Sequence, residues 1–88
     1  MPEIEFSQHA IDQMTDRGTT KEEIKSAILD GEQVPAKKGR KAYRKNIPFD
    51  SQWKGKYFLT KQVMPIVKEE SARIIVITVY VFYFGGKK

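Results

Sequence analysis

Cysteine is absent from this chain of 88 residues, which removes disulfides and thiolate metal sites as sources of stability. Histidine occurs once, at His9, so no H-E-x-x-H pair or comparable spacing exists to bind a metal. The chain also lacks a Gly-rich phosphate loop and a G-x-S-x-G elbow, which argues against a nucleotide-dependent enzyme and a serine hydrolase. Asp12 and Asp16 stand four apart, but such a helical pair is more often a solvent-facing one than a ligand set. Neither a metal nor a cofactor is expected.

Long apolar segments are missing too. The longest, residues 74–84, has eleven residues, well short of the roughly 20 of a membrane helix. The first six residues carry two glutamates where an export signal has a basic and then an apolar stretch. With no cysteine, a reducing compartment fits. A cytoplasmic domain with no membrane association is the expectation.

A chain this short buries only about 60% of the surface it exposes when unfolded. One modest core is expected, over residues 1–84, with residues 85–88 as a flexible tail. The formal net charge is +5, unevenly spread: −5 over residues 1–36, +7 over 37–56 and +3 over 57–88. The middle segment attracts a polyanion, RNA foremost; a solvated basic loop has the same composition.

Ser7 precedes the stripe Ala10, Ile11 and Met14, and Arg17 then Gly18 close it, which predicts a capped first helix. Thr20 and Glu23 form a capping box ahead of Ile24, Ala27 and Ile28, with Gly31 ending the pattern, which predicts a second helix. Beyond Gln33 the period changes. Strands are expected near 33–36, 41–47, 57–68 and 73–84, with 46–56 a loop pinned by Phe49 and Trp53, and 69–72 the last turn. Pro65 places the third strand at an edge or beside a bulge, and the two-sided apolar 74–84 segment reads as a central strand. The expected class is α+β, two N-terminal helices packed on an antiparallel sheet of three to four strands.

His9 is the side chain best suited to proton transfer near neutral pH. His9, Gln13 and Arg17 form one row along the first helix, able to face Thr78 and Tyr80 on the last strand. A structural role for each, as a partly buried histidine, a strand threonine or a core tyrosine, stands beside that reading. Lys37, Lys38, Arg40, Lys41, Arg44 and Lys45 are candidate phosphate contacts, with Tyr43 available to stack on a base or to fill the inner face of its strand.

Together, His9-Ala10-x-x-x-Met14-x-x-Arg17-Gly18, the capped second helix, Gly39-Arg40-x-x-Tyr43 and Ile77-Thr78-Val79-Tyr80 resemble the uncharacterised domain family numbered 4258, over nearly the whole chain. That family is thought similar to the barnase, colicin and RelE type of metal-independent ribonuclease, several of them toxins. The resemblance implies that His9 or Tyr80 moves a 2′-hydroxyl proton, that Arg17 and Arg44 stabilise the developing phosphorane charge, and that Thr78 positions a phosphate oxygen. It implies RNA as substrate and a cognate antitoxin-like protein as partner. Two positions depart from the family: Gln13 replaces a common arginine, which weakens the catalytic carry-over, and Thr19 replaces an aliphatic residue. A non-catalytic module that binds nucleic acid or protein is the alternative to the endoribonuclease.

Overall fold

The computed structural model describes residues 3–86. Its elements run β1 (Glu3–Phe6), α1 (Gln8–Arg17), α2 (Lys21–Asp30), β2 (Glu32–Pro35), β3 (Lys41–Trp53), β4 (Lys56–Glu70) and β5 (Arg73–Phe84). The strands form one mixed sheet in the order β1-β5-β4-β3-β2, with β1 parallel to β5 and the remaining pairs antiparallel. The expectation of a purely antiparallel sheet of three to four strands is thereby corrected. Four residues are too few to show a strand period, and β1 is recruited only because β5 offers it an edge. No helix among the described residues is long and apolar enough to cross a membrane.

Both helices start and stop where their caps require. The Ser7 hydroxyl accepts from the Ala10 N–H at 3.1 Å, and that of Thr20 accepts from the Glu23 N–H at 3.2 Å. Gly18, at φ 76°, ends α1 in the left-handed region, and its N–H and that of Thr19 both return to the Met14 carbonyl. Ser7 also joins layers: its N–H reaches the Val76 carbonyl at 3.0 Å and its hydroxyl donates to the Ile77 carbonyl at 2.9 Å. Ser7→Ala removes the cap and one edge contact together, so a loss of about 1–2 kcal/mol is expected. Thermal unfolding checks this as a fall of at least about 4 °C in Tm.

Segment 46–56, expected as a loop, is strand instead. β3 and β4 pair as far as Trp53↔Lys56, with a register shift between Pro48 and Ser51. Lys54 and Gly55 turn the chain at φ 52° and 84°, the two positive values of a type I′ hairpin. Asp50, at φ 45°, lies within the shifted segment, so the turn signals there mark a bulge in a strand rather than its end. The last turn is likewise tighter than expected, since Glu70 pairs with Arg73.

Pro65 is fully buried on β4, an interior strand rather than an edge. Beside it the β4–β5 register shifts, Ile66 pairing with Thr78 and Val67 with Val76, so Ile77 is an extra residue in β5. That single residue breaks strict alternation. The buried set on β5 is Ile74, Val76 and Val79, drawn from both of the faces that alternation predicts. Nor is β5 interior along its whole length, because β1 pairs only as far as Val76.

The core lies on one side of the sheet. Ala10, Ile24 and Ile28 from the helices meet Val63, Val67, Val76 and Val79, with Phe6, Met14 and Tyr43 at the rim. α1 packs on β5, and α2 on β4 and β3. Among the described residues no second helical layer covers the opposite, outer face. The expected tail falls partly outside the described residues, at Lys87 and Lys88, while the Gly85 carbonyl accepts from the Leu59 N–H at 3.2 Å.

Candidate nucleic-acid interface on the uncovered sheet face

The extra residue at Ile77 turns Thr78, Tyr80, Phe82 and Phe84 outward. Their β4 partners on that face are Ile66, Met64, Gln62 and Thr60. Tyr80 is 41%, Phe82 46% and Phe84 43% exposed, so these rings form a solvent-facing column and not a second core. The rings of Tyr80 and Phe82 lie near parallel, with centroids 6.5 Å apart. Burying such surface is favourable, and an apolar column left open in a chain this small marks a contact surface.

Cations stand on both sides of the column. α1 runs along the edge of β5 beyond β1, where Arg17 donates to the Val79 carbonyl at 2.9 Å and its guanidinium lies 5.1 Å from the Tyr80 ring centre. On the other side, the unbroken register from Ala42↔Ile66 to Lys45↔Val63 sets Arg44 beside Met64, two strands or roughly 10 Å from Tyr80. Arg44 Nε donates to Glu32 at 3.0 Å. Glu32, Arg44, Asn46 and Gln62 line a polar hollow of about 440 Å³, in which the Gln62 amide donates to Asn46 at 2.9 Å.

The residues singled out in the sequence are therefore only partly brought together. Arg17, Thr78, Tyr80 and Arg44 share this surface. Thr78 is satisfied by Gln13, to which its hydroxyl donates at 2.9 Å, so Gln13 lies at the same rim. His9 is exposed and stands two helical turns from Arg17, about 12 Å along the axis. Strand alternation divides the basic run: Lys41, Tyr43 and Lys45 point to the helical side. There Lys41 pairs with Glu69 at 3.0 Å, Lys45 lies 3.6 Å from Asp30, and Tyr43 flanks the core. Lys37, Lys38 and Arg40 occupy the exposed connection between β2 and β3. Among the described residues no three His, Asp or Glu side chains are grouped to hold a metal ion.

Phe82 and Phe84 join the candidate surface, and sequence reasoning did not select them. Their spacing from Tyr80 was visible, but a strand read as central has both faces covered. The usable signal was the number of helices, since two ten-residue helices cover one face of a long sheet and leave the other open.

On the helical side, at the same end of the sheet, lies a second cluster. Lys61, only 6% exposed, places its ammonium 2.9 Å from Glu23 and 2.9 Å from the Gly18 carbonyl. Thr19 donates to the same Glu23 carboxylate at 2.9 Å, which gives its hydroxyl a structural role. Trp53 stacks on Tyr83 with centroids 5.0 Å apart, and the Tyr83 hydroxyl donates to the Arg17 carbonyl at 2.7 Å. Burial, then the nearby Glu23 charge, pushes the Tyr83 hydroxyl up to about 12.

A folded-state value above the ordinary 10 means that Tyr83 stabilises the fold fully below pH 10. That contribution is lost as pH rises from about 10 towards about 12. A tyrosinate absorbance titration is expected to include a late phase that comes from Tyr83. Tyr83→Phe removes that late phase, and its persistence in the variant would refute the assignment.

A family model described as a domain of unknown function, DUF4258, matches residues 6–81. No curated protein matches the chain. No solved structure matches it either, so the expected similarity to barnase, colicin and RelE-type folds has no support from these comparisons.

Proposed function

The chain belongs to the DUF4258 family of domains of unknown function, and from that premise we propose that it is an RNA-directed domain that holds a single-stranded segment across the outer face of its sheet. One observation carries the reading: an exposed aromatic column, Tyr80, Phe82 and Phe84, flanked by Arg17 and Arg44 on a face that no helix among the described residues covers. Ring faces accept unstacked bases, and the flanking guanidiniums meet phosphates. Asn46 and Gln62 offer amide groups to base edges. A duplex hides its bases from such a platform, so single strands are the preferred ligand.

Fluorescence anisotropy with a labelled single-stranded RNA tests this. Tyr80→Ala and Phe82→Ala are each expected to weaken binding by roughly 5- to 150-fold, the equivalent of 1–3 kcal/mol per stacked base. Arg17→Ala and Arg44→Ala are expected to lower the salt slope by about one each, while Gln13→Arg, which adds a cation at the same rim, steepens it. Equal affinity for a duplex, or indifference to both aromatic substitutions, would sink the reading.

The contact of Arg17 with Tyr80 favours a second, more specific reading, a metal-independent endoribonuclease. In it the Tyr80 hydroxyl accepts the 2′-hydroxyl proton while passing its own to the departing 5′ oxygen, as the bond from the 2′ oxygen to phosphorus forms and the bond from phosphorus to the 5′ oxygen breaks, and Arg17 and Arg44 oppose the charge developing on the phosphorane oxygens. Cleavage of single-stranded RNA in EDTA, abolished by Tyr80→Phe and Arg17→Ala but retained in His9→Ala, is the expected pattern. Binding without cleavage returns the assignment to a non-catalytic module.

A further inference from the structure

The two edges of the sheet are treated differently by the sequence. β2 is four residues long, carries exposed Glu32 and ends at Pro35, each a device that discourages pairing with another chain. The β5 edge has none of these. Beyond β1, the Ser7 hydroxyl takes the Ile77 carbonyl and Arg17 takes the Val79 carbonyl. From there Val79-Tyr80-Val81-Phe82-Tyr83-Phe84 runs on with no charge and no proline, made up wholly of the β-branched and aromatic residues that pair most readily.

We propose that this edge joins two copies of the chain, pairing antiparallel over Val81–Phe84 about a two-fold axis at Phe82 and fusing their sheets into one. The register follows from the backbone. The Val79 carbonyl faces the edge, so by the strand period Val81 and Tyr83 also present their main-chain groups there, while Tyr80, Phe82 and Phe84 bond to β4. Centring on Phe82 sets Val81 opposite Tyr83 of the partner subunit, twice over, and uses the edge groups that Ser7 and Arg17 leave free.

Side chains agree with that register. On the outer face Tyr80 meets Phe84 of the partner subunit and Phe82 meets its own copy, aromatic cross-strand pairs that gain from contact. Beneath the edge a hollow of about 220 Å³ beside Val81 and Tyr83 is rimmed by Asp16, Arg17 and Lys54. A rim of both signs complements its own two-fold image. The guarded β2 edges end up at the two outer margins, so association closes at two subunits. This inference is independent of the RNA reading and is tested without nucleic acid.

Sedimentation equilibrium of the whole chain is expected to give twice 10.2 kDa, falling toward the monomer on dilution. Val81→Pro removes an N–H that faces outward and leaves the β4 ladder intact, so a monomer with unchanged circular dichroism is expected. In the cysteine-free background, Phe82→Cys opposes itself in a non-hydrogen-bonded pair with Cα atoms about 4.5 Å apart, within disulfide range. It should oxidise to a covalent dimer, whereas Thr60→Cys, one strand further in, should not. A monomer at every concentration, a species larger than a dimer, or equal cross-linking of both cysteine variants overturns the proposal. If Val81→Pro fails to fold, the cysteine pair decides alone.

Discussion

Lys61→Met is expected to lower the unfolding free energy by about 3 kcal/mol, at the lower end for breaking a buried ion pair. Methionine keeps much of the stem's volume and flexibility, so the loss reports charge rather than a cavity. It strands the Glu23 carboxylate, whose side chain is 25% exposed, with Thr19 as its remaining donor, and it leaves the Gly18 carbonyl without the ammonium. Urea unfolding should show a lower midpoint at an unchanged slope. Lys61→Met with Glu23→Leu should recover much of the loss, because removing both charges costs less than stranding one. An exposed pair supplies the contrast: Glu69→Ala, opposite Lys41, should leave the urea midpoint nearly unchanged, because solvent screens the pair. Equal effects of the Lys61 and Glu69 variants would refute the buried-pair account.

Gly18→Ala is expected to cost about 3 kcal/mol, the sum of two terms. At φ 76° an L side chain is strained by about 1–2 kcal/mol. A Cβ would also stand 2.6 Å from a Trp53 ring carbon and 2.6 Å from the Tyr83 hydroxyl, and relieving such overpacking costs about 1–3 kcal/mol. Gly55→Ala separates the terms, since Gly55 has φ 84° and nothing within 4 Å of the added carbon. The difference between the two variants in urea unfolding isolates the packing share, which should appear also as a changed near-ultraviolet dichroism of Trp53. Equal losses would mean that Trp53 and Tyr83 yield freely.

Those two sites differ in how visible they are in the chain. Gly18 is announced by the residues before it, an apolar stripe ending in arginine. Lys61 is one cation among many, and no local pattern marks it as the one whose charge is buried. Its environment comes from Glu23 and Gly18, both about forty residues away in sequence. Of the functional candidates, Arg17, Thr78 and Tyr80 were legible as a helix row and a strand motif. Their shared surface with Arg44, and the extension of the column to Phe82 and Phe84, were not, because Arg44 reaches them only through the register of β3 on β4.

By itself the sequence determined where the helices begin and end, since a cap and its target lie within four residues and their geometry is local. It determined equally that a sheet follows and that no cysteine-based site can form. Only the tertiary structure decided that β1 joins β5 in parallel, that the 46–56 segment remains strand, and which face of β5 is buried. Those outcomes rest on pairings between distant segments and on one unpaired residue, Ile77. An extra residue in a strand exchanges every later side chain between core and solvent. That exchange is why Tyr80, Phe82 and Phe84 face outward.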